Sequence, residues 1–215
     1  MSKVLLVDDH QVVRDGLKTI IREQGIGDEF GEAATADEAL KLAADHAWDL
    51  AVVDISLVGR SGLELVRELK QLRPRMPILM LSMHSEEQYA RRAFKAGAAG
   101  YITKDSSRAE LAGAIAKVIA GGRYISPALA ERLVVDLERD TDRPPHHVLS
   151  DREFEVMRLM GSGKTVGEIA RILSLSDKTV STYRARILEK MHLNTTAELI
   201  RYVVENNLMD ESRKM

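Results

Sequence analysis

The amino-acid sequence predicts an α/β domain followed by a small all-α domain. Short apolar runs alternate with helix-period segments up to about residue 121, and the pattern from Leu149 onward is purely helical. Between them, the segment RDTDRPPHH at 139–147 is charged and carries two prolines, which is typical of a linker. A chain of 215 residues is long enough for two such domains, each with its own core.

The first domain is predicted to contain five rounds of a strand followed by a helix. The apolar runs lie at residues 4–7, 30–34, 50–53, 78–81 and 100–102, and the helical segments lie at 12–23, 36–44, 63–72, 87–96 and 108–120. Such alternation predicts a doubly wound parallel sheet with helices on both faces. A further helix at 127–138, with Ser126 as N-cap and proline in its first turn, leads into the linker.

The composition excludes several classes of function. The 31 Lys+Arg nearly balance the 33 Asp+Glu, so nucleic-acid binding would require a local basic surface rather than bulk charge. The absence of cysteine excludes a disulfide framework, thiolate zinc ligands and thiol catalysis. Because no segment reaches about 18 uninterrupted apolar residues, and the run after Lys3 is too short for a signal peptide, we expect a soluble cytoplasmic protein without membrane association.

Three carboxylates are predicted to meet at one edge of the sheet. Asp8 and Asp9 follow the first strand directly, and Asp54 ends the third. Ligands of open parallel sheets gather at the carboxyl ends of the strands. A divalent cation such as Mg²⁺, which prefers carboxylate oxygens, water and phosphate, would make the mutual repulsion of these acids tolerable.

The same edge is predicted to carry a hydroxyl and an ammonium group. Ser82 ends the fourth apolar run and Lys104 follows the fifth, so the edge would hold the groups that are needed to bind a phosphoryl group and neutralise its charge. Any one of these side chains alone would be an ordinary turn or capping residue, and the coincidence of all of them favours a site. Arg14 and Lys18, close to the acidic turn, are expected on the solvated face of the first helix.

The second domain has the pattern of a helix-turn-helix. The segments SDRE at 150–153 and TVGE at 165–168 are capping boxes, which mark two helix starts. A helix over 165–173, a turn at 174–176 and a helix over 177–192 form the motif, and a fourth helix is predicted at 196–206.

The second helix of the motif is predicted to be amphipathic with a basic outer face. One stripe, facing the core, consists of Val180, Tyr183, Ile187 and Met191. The opposite face contains Lys178, Thr182, Ala185, Arg186 and Glu189, flanked by Ser181 and Lys190. A surface of small residues ringed by cations suits a DNA major groove. A plain solvated helix is the alternative, and the preceding helix and tight turn favour DNA binding.

The first domain resembles the receiver domain of bacterial response regulators. The likeness rests on Asp8 and Asp9 after strand one, Asp54 after strand three, Ser82 after strand four, and Tyr101 and Lys104 around strand five. It implies a flavodoxin-like fold over residues 1–121, with Asp54 as the acceptor of a phosphoryl group from a sensor histidine kinase.

The resemblance also implies a role for each residue of the pocket. Asp9, Asp54 and the backbone carbonyl of Ser56 would bind Mg²⁺, and Asp8 would act through a water. Lys104 would pair with the phosphoryl oxygens, Ser82 would move to bond one of them, and Tyr101 would swing inward in response. Many receivers have proline after the lysine where this chain has Asp105, so the cis peptide bond expected there is left open.

The second domain resembles the LuxR-type DNA-binding domain, in register from Leu149 to about Tyr202. Together the two likenesses indicate a NarL/FixJ-class response regulator with a receiver at 1–121, a linker helix and tether at 122–147 and a four-helix DNA-binding domain at 148–215. The implied base contacts are Ser181, Thr182 and Ala185, and the implied phosphate contacts are Lys178, Thr179, Arg184, Arg186 and Lys190. Many members have a basic residue at 181, so the bases that this chain reads are left open.

The expected function is phosphorylation-controlled transcription by a homodimer on promoter DNA, with RNA polymerase as a further candidate partner. Two alternatives remain. A metal-dependent phosphotransferase or phosphatase could use Asp54 as its covalent intermediate, although such enzymes normally need a second acid where this chain has Ser56. A receiver that works without phosphate is the other.

Overall fold

Five parallel strands form the sheet of the first domain in the order β2-β1-β3-β4-β5. The structure is a computed structural model that describes residues 2–83, 86–127, 129–131 and 144–209. The strands are β1 (Ser2–Val7), β2 (Gly27–Ala33), β3 (Leu50–Asp54), β4 (Ile78–Ser82) and β5 (Gly100–Thr103). The helices between and after them are α1 (Gln11–Glu23), α2 (Ala36–Asp45), α3 (Gly62–Leu72), α4 (Glu86–Ala96) and α5 (Arg108–Ile119). The prediction of a doubly wound five-stranded sheet is therefore confirmed.

The core follows the two-residue period of the strands. Val4, Leu6, Leu50 and Val52 face one layer of helices together with Ile115 of α5, and the alternate residues of each strand face the other layer. Strands β3 and β4 are buried along their whole length, whereas the edge strand β2 is partly exposed. This difference explains why β2 gave only a weak apolar signal and begins earlier than predicted.

The register of the central strands fixes where each strand ends. Val7 of β1 pairs with Val53 of β3, and Asp54 pairs with Leu81 of β4. Ser82 in turn pairs with Thr103 of β5. Residues that follow these pairs therefore emerge at the same edge of the sheet.

The chain divides into two compact units, Met1–Val135 and Asp136–Met215. The second unit contains a 3-10 helix (Pro145–Val148) and then α6 (Asp151–Gly161), α7 (Val166–Ile172), α8 (Asp177–Lys190) and α9 (Thr196–Glu205). Residues 127 and 129–131 are helical, as predicted, whereas the rest of that predicted helix and the first part of the tether lie outside the described residues. No helix within the described ranges is both long enough and apolar enough to cross a bilayer.

Side-chain caps hold the starts of α6 and α7. The side chains of Ser150 and Thr165 each accept a hydrogen bond from the backbone N–H three residues later. The carboxylates of Glu153 and Glu168 in turn accept a hydrogen bond from the backbone N–H of the cap residue. Both predicted capping boxes are therefore present.

The 3-10 helix at the end of the tether is bound to the last helix of the unit. Nδ1 of His146 lies 2.8 Å from the hydroxyl of Tyr202 in α9. The ring of His146 also packs against Phe154 of α6, with a centroid distance of 5.8 Å. The segment just before α6 is thus part of the folded unit.

The contact between α6 and α9 provides a test of the packing. A Cβ at Gly161, the last residue of α6, would overlap the side chain of Val203, which is fully buried in α9. We expect Gly161→Ala to lower the free energy of unfolding by about 1–3 kcal/mol. The measurement is thermal unfolding of the full chain followed by circular dichroism.

The matched control for this variant is Gly167→Ala, inside α7. A Cβ at Gly167 meets nothing closer than 4.0 Å, so this change should keep or raise stability by up to about 1 kcal/mol because alanine favours a helix. Equal losses of stability in the two variants would contradict the packing described for Gly161.

Candidate functional site

The predicted acidic residues meet at the carboxyl edge of the sheet. Asp8 and Asp9 lie in the loop between β1 and α1, and Asp54 is the last residue of β3. The side chains of Asp8 and Asp54 are only 1% and 3% exposed, whereas that of Asp9 is 20% exposed. The pocket is thus open to solvent on the side of Asp9.

Lys104 joins the two buried carboxylates. Its Nζ donates a hydrogen bond to Oδ2 of Asp54 at 2.9 Å. The same ammonium lies 2.7 Å from Oδ2 of Asp8, with which it forms an ion pair. One cation therefore sits between two carboxylates that would otherwise repel each other.

The protonation of this pair reflects its burial. Burial raises the pKa of the Asp54 carboxyl, against the effect of Lys104 and with that of Asp8. Burial also disfavours the charged form of Lys104, but the carboxylates of Asp54 and Asp8 outweigh this and raise the pKa of its ammonium. Although an ion pair alone would lower the pKa of Asp54, the loss of hydration is larger, so negative charge here is costly without a further cation.

The pocket has carboxylate oxygens that suit a divalent cation. Within the part of the chain that the structure describes, Oδ1 of Asp54 is buried without a hydrogen-bond donor, whereas Oδ2 of Asp8 faces Lys104 and Oδ1 of Asp9 lies 2.8 Å from Nδ1 of His10. Asp8, Asp9 and His10 also offer ligand atoms that all lie within 4.8 Å of one another. Hard oxygen donors of this kind fit Mg²⁺, whereas the imidazole of His10 is a ligand type that the sequence prediction did not include.

Of the other predicted residues, Ser82 and Ser56 lie at the same edge, whereas Tyr101 lies within β5, three residues before Lys104. Ser82 is fully buried at the end of β4, and its carbonyl accepts a hydrogen bond from the backbone N–H of Lys104 at 2.7 Å. Tyr101 is also fully buried, so its ring already points inward. The backbone N–H of Ser56 donates to the carboxylate of Asp54. The peptide bond between Lys104 and Asp105 is trans.

The prediction for Arg14 and Lys18 is wrong. Their side chains are only 13% and 18% exposed, and both bind Glu32 of the edge strand. Arg14 also donates a hydrogen bond to the backbone carbonyl of Asp8 at 2.6 Å. A helical-wheel argument could not reveal this contact because Glu32 reaches α1 only through the pairing of β2 with β1.

Gly62 is a second residue whose importance the sequence prediction did not recognise. It begins α3, and a Cβ at this position would overlap the backbone carbonyl of Asp54. Its N–H donates to the carbonyl of Ile55 at 2.8 Å. The start of α3 therefore packs directly against the backbone of Asp54, and only glycine allows this approach.

The second unit presents the predicted basic face on α8. Ser176 caps this helix, and the turn before it contains Ser174 in the left-handed region, with φ of 53°. Val180, Ile187 and Met191 of the predicted core stripe are buried, whereas Tyr183 is only partly buried. The exposed side chains are Lys178, Ser181, Thr182, Arg184, Ala185, Arg186 and Lys190, and Thr179 is partly buried.

Some of the predicted DNA-contacting side chains are already bonded within the unit. The hydroxyl of Thr182 donates to the carbonyl of Lys178 at 2.9 Å, and the hydroxyl of Thr179 lies 2.8 Å from that of Ser176. Lys190 donates to both carboxylate oxygens of Glu153, at 2.7 and 2.8 Å. Lys190 therefore ties the end of α8 to the start of α6.

A buried acidic pocket in the first unit and a basic helix-turn-helix in the second together indicate a DNA-binding regulatory protein. The family model for the response regulator receiver domain matches residues 4–116, and the model for bacterial regulatory proteins of the luxR family matches residues 147–203. The chain belongs to the NarL/FixJ class of two-component response regulators, a family of transcription regulators rather than enzymes.

Two full-length relatives support this assignment. Response regulator UvrY of Escherichia coli is 35% identical over 210 residues, which cover 97% of this chain and 96% of the relative. Response regulator GacA of Pseudomonas syringae pv. syringae is 35% identical over 213 residues, which cover 99% of this chain and all of the relative.

A solved structure shares the fold of the whole chain. The structure of RcsB from Salmonella enterica serovar Typhimurium, bound to a promoter in the presence of the phosphomimetic BeF3-, has a TM-score of 0.59 and 23% identity. The match covers 94% of this chain and 97% of that one. At this identity it supports the fold alone.

The ion pair of Lys190 with Glu153 gives a pH-dependent contribution to stability. Burial favours the neutral form of Glu153, but Lys190 and the cap at Ser150 outweigh it and hold the pKa below its ordinary value of 4.5. Because the pKa of this carboxyl is lower in the folded state, its ionised form stabilises the fold at pH values above the ordinary pKa of 4.5. This stabilisation is lost as the pH falls through the pKa of the folded state.

We therefore expect Glu153→Gln, which keeps a capping amide, to lower the free energy of unfolding by about 1 kcal/mol near pH 7. Urea unfolding of both proteins as a function of pH measures the difference, which should shrink below pH 4.5 as the wild-type carboxylate is protonated. Glu168→Gln, at the same position of the exposed capping box of α7, is the control and should have a smaller effect. A difference that stays constant down to pH 3 would contradict the role of the ion pair.

Proposed function

We propose that phosphorylation of Asp54 by a sensor histidine kinase controls the binding of this regulator to promoter DNA. The observation that carries the proposal is the buried carboxylate of Asp54, whose Oδ2 accepts a hydrogen bond from Lys104 and whose Oδ1 has no hydrogen-bond donor. An oxygen without a donor, next to an ammonium, is suited to attack on phosphorus.

In the proposed reaction, a carboxylate oxygen of Asp54 attacks the phosphorus of a phosphohistidine. The O–P bond forms as the P–N bond breaks, and the imidazole of the donor leaves with the electron pair. Asp9 and Asp54, with the carbonyl of Ser56 and with Asp8 through a water, would hold Mg²⁺. The cation would neutralise charge on the transferred phosphoryl oxygens.

The remaining residues of the pocket would respond to the new acyl phosphate. Lys104 would transfer its hydrogen bond from the carboxylate to a phosphoryl oxygen, and the hydroxyl of Ser82 would bond another. Tyr101, on the neighbouring strand, would keep its inward position when Ser82 moves. Phosphorylation would thus favour one arrangement of these side chains and shift the population of the receiver towards that conformation.

DNA binding is proposed for the exposed face of α8. Ser181, Thr182 and Ala185 would lie against base edges, and the flanking cations would bind phosphates. Those phosphate contacts are proposed at Lys178, Thr179, Arg184, Arg186 and Lys190. One domain of this size contacts few base pairs, so a homodimer on two half-sites is proposed. RNA polymerase is a further proposed partner, and the cytoplasm is the proposed compartment.

The proposal divides the chain into a receiver at 1–121, a linker helix and tether at 122–147 and a DNA-binding domain at 148–215. The two family matches, at 4–116 and 147–203, support these limits.

Loss of the acceptor carboxylate is the direct test of phosphorylation control. We expect Asp54→Ala to abolish phosphate incorporation from acetyl phosphate because no other side chain would supply the acceptor oxygen. It should also abolish the gain in affinity for DNA fragments selected from a random pool by the phosphorylated wild-type protein. Mass spectrometry and fluorescence anisotropy measure the two effects.

Asp45→Ala, which removes an exposed acid at the end of α2, is the matched control and should behave as wild type. If Asp54→Ala kept the full gain in DNA affinity, regulation without phosphate would be the better account.

The role of Lys178 is tested by the salt dependence of binding. A lysine that contacts phosphate releases about one counterion, so Lys178→Ala should weaken binding similarly for all sequences and reduce the slope of log K against log salt by about 0.9. Lys41→Ala, in the first domain, removes the same charge and should leave the slope unchanged. A change in base preference with an unchanged slope would assign Lys178 to base recognition instead.

A further inference from the structure

We infer that Arg14 is a positioning residue for the metal-binding loop, with Glu32 as its anchor on the sheet. The inference rests on the proposed role of the acidic pocket in binding Mg²⁺. It assigns a function to a side chain that does not itself enter the pocket, since Arg14 contacts the loop through the backbone of Asp8.

The guanidinium of Arg14 makes two contacts in different directions. Nη1 donates to the backbone carbonyl of Asp8 at 2.6 Å, and Nε donates to Oε2 of Glu32 at 3.1 Å. The carbonyl belongs to the loop that supplies two of the three carboxylates, and the carboxylate belongs to the edge strand β2. Arg14 therefore connects the loop to the sheet from the side of α1.

The anchor is itself held in place. Lys18, one turn further along α1, donates to Oε1 of Glu32 at 2.6 Å and pairs with Asp15 at 2.7 Å. The hydrogen bond from Lys18, with a smaller one from Arg14, outweighs burial and keeps the pKa of Glu32 below its ordinary value. Glu32 is thus ionised at neutral pH and has one cation on each oxygen.

Most other hydrogen bonds of the loop backbone lie at its ends, where at the far end the carbonyl of His10 accepts from the N–H groups of Val13 and Arg14. The N–H of Asp8 donates to the carbonyl of Ala33 at 3.1 Å, which holds the loop at its start. The N–H of His10 donates to Oδ1 of Asp8 at 2.8 Å, which is a bond within the loop itself. The bond from Arg14 to the carbonyl of Asp8 lies between these points, so it fixes the peptide that joins Asp8 to Asp9.

This peptide sets the direction of both side chains. A rotation of the peptide plane would shift the Asp9 carboxylate, whose Oδ1 lies 2.8 Å from Nδ1 of His10, relative to that of Asp8, and the metal would lose a ligand. Groups that orient metal ligands from outside the first coordination shell typically change metal affinity by about 10–100-fold.

The geometry requires arginine rather than lysine. The planar guanidinium directs two N–H groups along fixed and divergent lines, which match the carbonyl and the carboxylate. A lysine ammonium is a point charge on a flexible stem without this fixed fork of donors, so it is expected to keep the charge but not both contacts at this position. Arg14→Lys, which keeps the charge, therefore separates the geometric role from a purely electrostatic one.

The test is calorimetric titration of the full chain with MgCl₂, together with thermal unfolding in the absence of metal. We expect Arg14→Met to weaken Mg²⁺ binding by about 10–100-fold, and Glu32→Leu and Arg14→Lys to weaken it by smaller factors. The matched control is Lys3→Met, which breaks the 2.7 Å ion pair of Lys3 with Glu29 on the same strand β2 but at a distance from the loop. Its Mg²⁺ affinity should stay within about twofold of wild type.

The outcomes separate the inference from the proposed function. Wild-type Mg²⁺ affinity in a folded Arg14→Met protein would overturn the positioning role of Arg14 but would not affect the proposal that the pocket binds Mg²⁺. Equal weakening in Lys3→Met would also overturn it, because the effect would then be general destabilisation. If Arg14→Met does not fold, the Mg²⁺ affinities of Glu32→Leu and Arg14→Lys test the positioning role by the same criterion. A wild-type chain that binds no Mg²⁺ would overturn both the inference and the metal-binding part of the proposed function.

Discussion

The register of three parallel strands is the constraint on which the first domain depends. Val7 lies beside Val53, and Asp54 lies beside Leu81, so the chain has no freedom to separate its acidic residues. The carboxylates of Asp8 and Asp54 then share one ammonium, that of Lys104, and both are largely removed from water. The fold thus holds an excess of negative charge in a buried site, where its desolvation costs free energy, and a divalent cation can balance this charge. Binding of a divalent cation would lower this cost.

The sequence was sufficient to predict the site residues whose positions depend only on the period of the strands and on where each strand ends. Asp8, Asp54, Ser82 and Lys104 each follow or end a short apolar run, and ends of parallel strands meet at one edge in any order of the strands. The capping boxes at Ser150 and Thr165 were equally readable, because they depend on a spacing of three residues.

The sequence was insufficient wherever the partner of a side chain depends on strand order or on packing between helices. Arg14 was expected in solvent because a helical wheel cannot show that β2 lies next to β1. The partner of Lys190 within the unit, Glu153, lies 37 positions earlier in the chain, and no local pattern predicts that it accepts the hydrogen bonds of Lys190. Tyr183 was placed in the core by its phase and is only partly buried. Local periodicity assigns a face to a residue, whereas the neighbouring element determines what that face touches.

The bond between His146 and Tyr202 has a mechanical consequence for the tether. The 3-10 helix is bonded to α9 through His146 and Tyr202, and Ser150 caps the helix whose Glu153 binds Lys190. The end of the tether is therefore fixed to the second unit. A pull transmitted along the chain to Pro145 would act on the end of α8 and on α9 at the same time.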